Sequence, residues 1–178
     1  MNTDLVLTLL GPDRPGLVES VADAIAAHGG NWLESRMAHL AGKFAGILLV
    51  QLPAARVDAL ATALRALEGR GLRIVVDDGD KAPAPAAARL MELDLVGLDR
   101  PGLVREVSRL LAQQGINVEE LTTDRSSAPM SGEMMFRARA RLDVPSGVDT
   151  GAVRAALERL AGDLMVEIRL ADSGDKPR

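Results

Sequence analysis

The sequence predicts an α+β protein in which one βαββαβ unit is used twice, and three observations carry that prediction. The octapeptide Gly11 to Val18, Gly-Pro-Asp-Arg-Pro-Gly-Leu-Val, returns as Gly97 to Val104, Gly-Leu-Asp-Arg-Pro-Gly-Leu-Val. The offset from Gly11 to Gly97 is 86 residues, and it also carries Gly29 onto Gly115, Asn31 onto Asn117, Glu34 onto Glu120 and Gly46 onto Gly132. Each copy follows a short apolar run, Leu5 to Leu10 or Met91 to Val96, and leads into apolar residues at helical spacing.

In the first unit the run from Leu5 to Leu10 is apolar at nearly every position, as in a central strand covered on both faces. It ends at Gly11-Pro12. Asp13 reads as a helix N-cap and Pro15 as a residue of the first helical turn, where its missing N–H costs nothing. Leu17, Val18, Val21, Ala22 and Ile25 then form one stripe until Gly29-Gly30 stops it. Asn31 to Leu40 and Phe44 to Leu52 read as a hairpin turning at Ala41 to Lys43. Val57, Leu60, Ala61, Leu64 and Leu67 mark a second helix, and Leu72 to Val76 a last strand. Packed with right-handed crossovers, this order gives a four-stranded antiparallel sheet with both helices on one face, the ferredoxin-like arrangement.

The second unit repeats the order. Met91 to Val96 is a strand, Leu103, Val104, Val107, Leu110 and Leu111 stripe a helix, and the hairpin turn is longer, Ser126 to Ser131. Val153, Ala156, Leu157 and Leu160 form the last helix and Leu164 to Leu170 the last strand. The expected boundaries are residues 1–78 for the first unit, 79–90 for a Pro- and Ala-rich linker, 91–172 for the second unit and 173–178 for a disordered tail.

Composition narrows the function. Each half has about the smallest length that folds alone, and 47% hydrophobic content over 178 residues fills two small cores. A formal charge of −4 and a pI near 5.2 speak against direct binding of nucleic acid, whose affinity comes mainly from Lys and Arg on phosphates. There is no cysteine, no basic stretch leading into an apolar signal core, and no apolar run near the ~20 residues a membrane helix needs. A cytoplasmic protein that does not engage membranes is expected. His28 and His39 stand eleven apart with no metal-like carboxylate spacing, so no metal and no cofactor are expected. Glu119 and Glu120, as strand neighbours, point to opposite faces and do not share a site. No nucleophile, base and orienter set occurs, and catalysis is not expected.

With these residues set out, the chain resembles a known family. A βαββαβ unit carrying Asp-Arg-Pro-Gly-Leu-Val between first strand and helix, and Gly-x-Asn before the next strand, resembles the ACT domain, a module that usually binds amino acids. Two such units, with the segment Glu34 to Leu40 followed by Lys43-Phe44, are similar to the glycine cleavage system transcriptional repressor family. The formyltetrahydrofolate deformylases open on a similar motif, but there one unit precedes a catalytic domain. The resemblance implies an amino-acid-sensing repressor, glycine being the favoured ligand, that does not bind DNA itself but holds a DNA-binding activator inactive. It also implies that Asn31 and Asn117 contact the ligand.

The residues allow a plain reading beside each functional one. A carboxylate could sit on the free N–H groups at the start of either first helix, and Gly11, Gly16, Gly97 and Gly102 would let a ligand or a neighbouring strand come close to the backbone. Asp13 and Asp99 are N-caps or ligand contacts; Pro15, Gly16, Pro101 and Gly102 serve the turn or the ligand; Asn31 and Asn117 follow helix-stopping glycines and serve a turn or the ligand. Arg14 and Arg100 either block or recruit a ligand. Trp32 reads as core packing.

One asymmetry implies a protein partner and a homo-oligomer. Ala45, Ile47 and Leu49 occupy the strand face that holds Met135, Arg137, Arg139 and Arg141 in the second unit. The apolar face needs cover from another sheet or subunit. The Arg stripe reads as a solvated face, with an acidic partner or nucleic acid as the alternative. Two other functions fit the same features: a regulatory subunit of an amino-acid-metabolic enzyme, and an interaction module with no ligand.

Overall fold

The computed structural model describes residues 1–79, 88–128 and 132–173. It divides into two compact units, Met1–Pro83 and Ala84–Arg178. The first comprises β1 (Asn2–Pro12), α1 (Leu17–Ala27), β2 (Asn31–Leu40), β3 (Lys43–Pro53), α2 (Val57–Ala66) and β4 (Arg73–Asp78). The second comprises β5 (Ala88–Leu98), α3 (Leu103–Gln113), β6 (Asn117–Ser127), β7 (Met134–Pro145), α4 (Thr150–Leu164) and β8 (Val166–Asp172). The sheets run β2-β3-β1-β4 and β6-β7-β5-β8, with every neighbouring pair antiparallel. These are two ferredoxin-like α+β units, as the element order predicts.

Hydrophobic periodicity places the cores. Leu5, Leu7 and Leu9 of β1 are at most 1% exposed and meet Leu48, Val50 and Leu52 of β3 together with Leu17, Val21 and Ile25 of α1 and Leu60 and Leu64 of α2. Each fully buried side chain of this kind contributes about 1.5–3 kcal/mol. In the second unit Met91, Leu93 and Leu95 meet Leu142, Val107, Leu111, Val153 and Leu157. Trp32 packs against the edge of the first core, as expected.

Several expectations are corrected. β1 is not covered on both faces of its unit: Thr8 and Leu10 are exposed, so the strand alternates despite its apolar run. The linker ends earlier than residue 90, because Ala88, Arg89 and Leu90 already pair with Pro145, Val144 and Asp143; its Pro and Ala composition hides backbone that the sheet uses. Residues 80–87 of that linker, 129–131 of the long hairpin turn and 174–178 of the tail lie outside the described residues, while Ser173 still donates to the Leu90 carbonyl at 3.1 Å. The match of Gly46 to Gly132 fails. Gly46 pairs with Leu9, and the residue paired with the matching Leu95 is Ala138, because the second hairpin is longer. Glu119 and Glu120 do share a partner, Arg141, at 3.4 and 3.7 Å, since a β-bulge between Val118 and Glu120 breaks the alternation.

Candidate ligand-binding loops

The loop after β1 is shaped by two prolines and a hairpin tip. The Asp13 amide donates to the Gly42 carbonyl at 2.9 Å, which keeps this residue with the sheet. Pro15 disfavours helical backbone at Arg14, so the helix waits until Leu17. Its N-cap is Gly16 in left-handed backbone at φ 86°, with no side chain capping it. Asp13 is therefore not an N-cap. The second unit agrees: Gly102 caps α3 at φ 96°, again with no side-chain bond, and Asp99 is not an N-cap either. The first bonds within these helices run from Ser20 to Gly16 and from Glu106 to Gly102, both 3.0 Å, so the amides before them have no helical acceptor. α4 shows the contrast. There the Asp149 carboxylate accepts from the Gly151 and Ala152 amides at 2.9 and 3.2 Å.

Space over these starts is open. A Cβ built at Gly16 would meet only the Glu19 carboxylate, at 3.8 Å, and one at Gly102 would meet nothing within 4 Å. Gly11 and Gly97 do something else. A Cβ at Gly11 would lie 2.9 Å from the Gly71 carbonyl, and one at Gly97 would collide with Val166, so Gly11 admits the turn before β4 and Gly97 the first residue of β8.

The arginines differ between units. Arg14 donates through Nη2 to the Arg70 carbonyl, tying its loop to the turn before β4. Arg100 Nη2 is sealed from solvent and has no hydrogen-bond partner. Asp99 is held by Arg125 of β6 at 2.6 Å. Sequence reading overlooked Arg125 as well as the Arg70 and Gly42 carbonyls. Arg125 and His39 occupy matching places, opposite Phe136 and Phe44, a signal visible only once the hairpins are in register.

Asn31 and Asn117 are not brought to these loops. Gly11 pairs with Phe44 and Asn31 with Gln51, seven residues further along β3, a separation of about 23 Å at about 3.3 Å per residue. Asn117 pairs with Asp143 and Gly97 with Phe136, the same separation. One small ligand cannot touch both within a unit.

The other candidates are quickly placed. His28 Nδ1 lies 2.7 Å from the Ala24 carbonyl at the end of α1 and His39 is exposed. Among the described residues no group of three or more His, Asp or Glu could hold a metal, and no helix is long and apolar enough to cross a membrane. The Arg stripe faces its own acids: Arg139 lies 3.2 Å from Asp94, and Arg141 meets Glu119 and Glu120. An open hollow of about 820 Å³ on this sheet face is lined by Arg137, Arg139 and Arg169 and by Asp94, Glu133 and Glu167. Its charges are balanced, three arginines against three carboxylates, and Gly97 and Leu98 also line it where it nears the loop before α3, so the donors without an acid of their own are the helix-start amides.

Comparison with known proteins agrees with this architecture. The ACT domain model matches residues 3–76 in one form and 91–162 in another. The chain is 25% identical to the glycine cleavage system transcriptional repressor of Escherichia coli over 162 residues, covering 90% of this chain and 85% of the repressor. It is 26% identical to the phosphoserine phosphatase SerB2 of Mycobacterium tuberculosis over 178 residues, 96% of this chain but only 41% of the phosphatase. Among solved structures, a protein of Galdieria sulphuraria described as unknown is 32% identical, covers 97% of this chain with 99% of its own, and superposes with a TM-score of 0.82. The chain belongs to the ACT domain family, as a tandem of two ACT domains similar to the glycine cleavage system transcriptional repressors.

Proposed function

We propose that the chain is an amino-acid-responsive regulator, in which a small amino acid, glycine first, places its carboxylate on the start of α3 or α1 and alters contact with another protein. The observation that carries this reading is the matched pair of uncapped, glycine-entered helix starts, each open to solvent, beside an α4 whose start is already capped. Such ends suit anions. Arg100, whose Nη2 has no acceptor but is sealed from solvent, would have to turn outward to add a charge-assisted bond, whereas Arg14 would first have to leave the Arg70 carbonyl. The second unit is thus the better receiver. Gly102, Pro101 and Asp99 shape its loop, as Gly16, Pro15 and Asp13 shape the first. A ligand there could meet an Asn31 or Asn117 amide only if a second molecule brought it.

Magnitudes set the expected affinity. A helix start contributes about 0.3–1 kcal/mol and a charge-assisted bond about 1.5–3, so a few such contacts reach about −4 kcal/mol, near a millimolar Kd. Calorimetry should therefore show glycine binding in roughly the millimolar range, weakened about tenfold or more by Arg100→Met and less by Arg14→Met. Heat changes indistinguishable from buffer for glycine, alanine and serine alike would count against the ligand.

The similarity to the repressors supports regulation of the glycine cleavage system through a protein partner such as a DNA-binding activator, in the cytoplasm and without direct DNA contact. A second reading has its own support: nearly all of this chain matches less than half of a phosphatase, as a regulatory subunit or portion of an amino-acid-metabolic enzyme would. Capture of partners separates the two, a transcription factor favouring the first and an enzyme the second.

A further inference from the structure

The outer faces of the two sheets, away from the helices, have the same strand registers and opposite chemistry. On the first, Leu10, Ala45 and Ala38 form one cross-strand row, Thr8, Ile47 and Val75 a second, and Val6 and Leu49 a third. Ile47, Val75 and Leu10 are 53, 48 and 45% exposed. On the second, the matching places hold Arg137, Arg139 and Arg141 opposite Val96, Asp94 and Glu92, with Asp124, Thr122 and Glu120 on β6 and Glu167 and Arg169 on β8. That face neutralises itself and suits water. It is also a poor cover for the first, because apolar contact would strip water from its ion pairs.

We propose that the outer face of the first sheet is a homodimer interface, packed against the same face of a second copy about a two-fold axis lying across the strands. Charge favours this setting. Arg73 ends the row of Leu10, and Asp77, four residues further along β4, ends the row of Val6, so the axis brings Arg73 onto the partner's Asp77 at two symmetric places. An axis along the strands would instead set Glu34 against the partner's Asp77, like against like. Arg36 meets its own copy near the axis, each already paired with Glu34 at 3.0 Å. Four strands about 4.8 Å apart and three rows about 6.7 Å apart give a footprint of roughly 400 Å², about half of the ~800 Å² per partner in a standard interface, so the dimer is weak and concentration-dependent. The inference does not rest on ligand binding.

Sedimentation velocity over a range of concentrations tests it. The wild type should pass from monomer to dimer as concentration rises. Ile47→Arg, which copies Arg139 onto the first sheet, should raise the dissociation constant at least about tenfold, as should Val75→Lys on a different strand should the first variant fold poorly. Asp77→Arg should weaken the dimer, and adding Arg73→Asp should restore it. Arg139→Ile should leave the first-sheet dimer intact. A wild type that stays monomeric, variants that associate like the wild type, or a charge swap without restoration would overturn the proposal.

Discussion

On the first sheet the outer row through Thr8 reads Arg36, Ile47, Thr8 and Val75; on the second, the row through Asp94 reads Thr122, Arg139, Asp94 and Arg169. The backbone pairing is the same, yet no place in one row holds the same residue as the matching place in the other. The inner faces explain why. Leu5, Leu7 and Leu9 in one unit and Met91, Leu93 and Leu95 in the other fix the register, because a slip of one residue would turn them out to water. Outer positions carry no such constraint and were free to diverge, one face toward apolar contact and the other toward solvent.

The inner faces also differ at one place, and there the comparison should break most sharply. Leu48 is 1% exposed, and its counterpart in the second unit is Ala140, which lines a small apolar void of about 30 Å³ with Leu93, Val107 and Phe136. Leu48→Ala should cost about 2–5 kcal/mol in chemical denaturation, because the tighter core cannot collapse around the missing atoms. A loss below about 1 kcal/mol would mean the two cores are equally loose. Next in size are the helix starts. Asp149→Ala should destabilise by about 1 kcal/mol, through loss of the α4 cap, whereas Asp13→Ala should stay within about 0.5 kcal/mol because Asp13 caps nothing. Equal losses would restore Asp13 as a cap. The smallest effect belongs to the outer faces: a double-mutant cycle on Asp94 and Arg139, both well exposed, should give a coupling of about 0.2–1 kcal/mol that salt reduces.

The repeat, the strand and helix order and most of the inner stripes were legible in the sequence, since each rests on local periodicity or on identity at a fixed offset; Val18 and Val104, expected in the helix stripes, are exposed. What was not legible depended on registers between distant strands. The offset of 86 residues failed at Gly46 because it cannot register an insertion in a hairpin. Asp13 resembled a cap because sequence shows a polar residue before an apolar stripe, but not that its amide is held by Gly42. Asn31 seemed a neighbour of the loop because the two are close in sequence, whereas α1 carries the chain to the far end of the sheet. Arg100 and Arg14 look alike in sequence and differ only in whether a carbonyl stands within reach.

The central claim is that an uncapped helix start in an ACT domain receives a small amino acid. The most direct measurement is an amide-resolved NMR titration with glycine. The account predicts saturable shifts at Gly102, Leu103 and Val104, smaller shifts at Gly16 to Val18, and loss of the former in Arg100→Met. Amides at both helix starts that do not move with glycine, or with any other small amino acid, would contradict it.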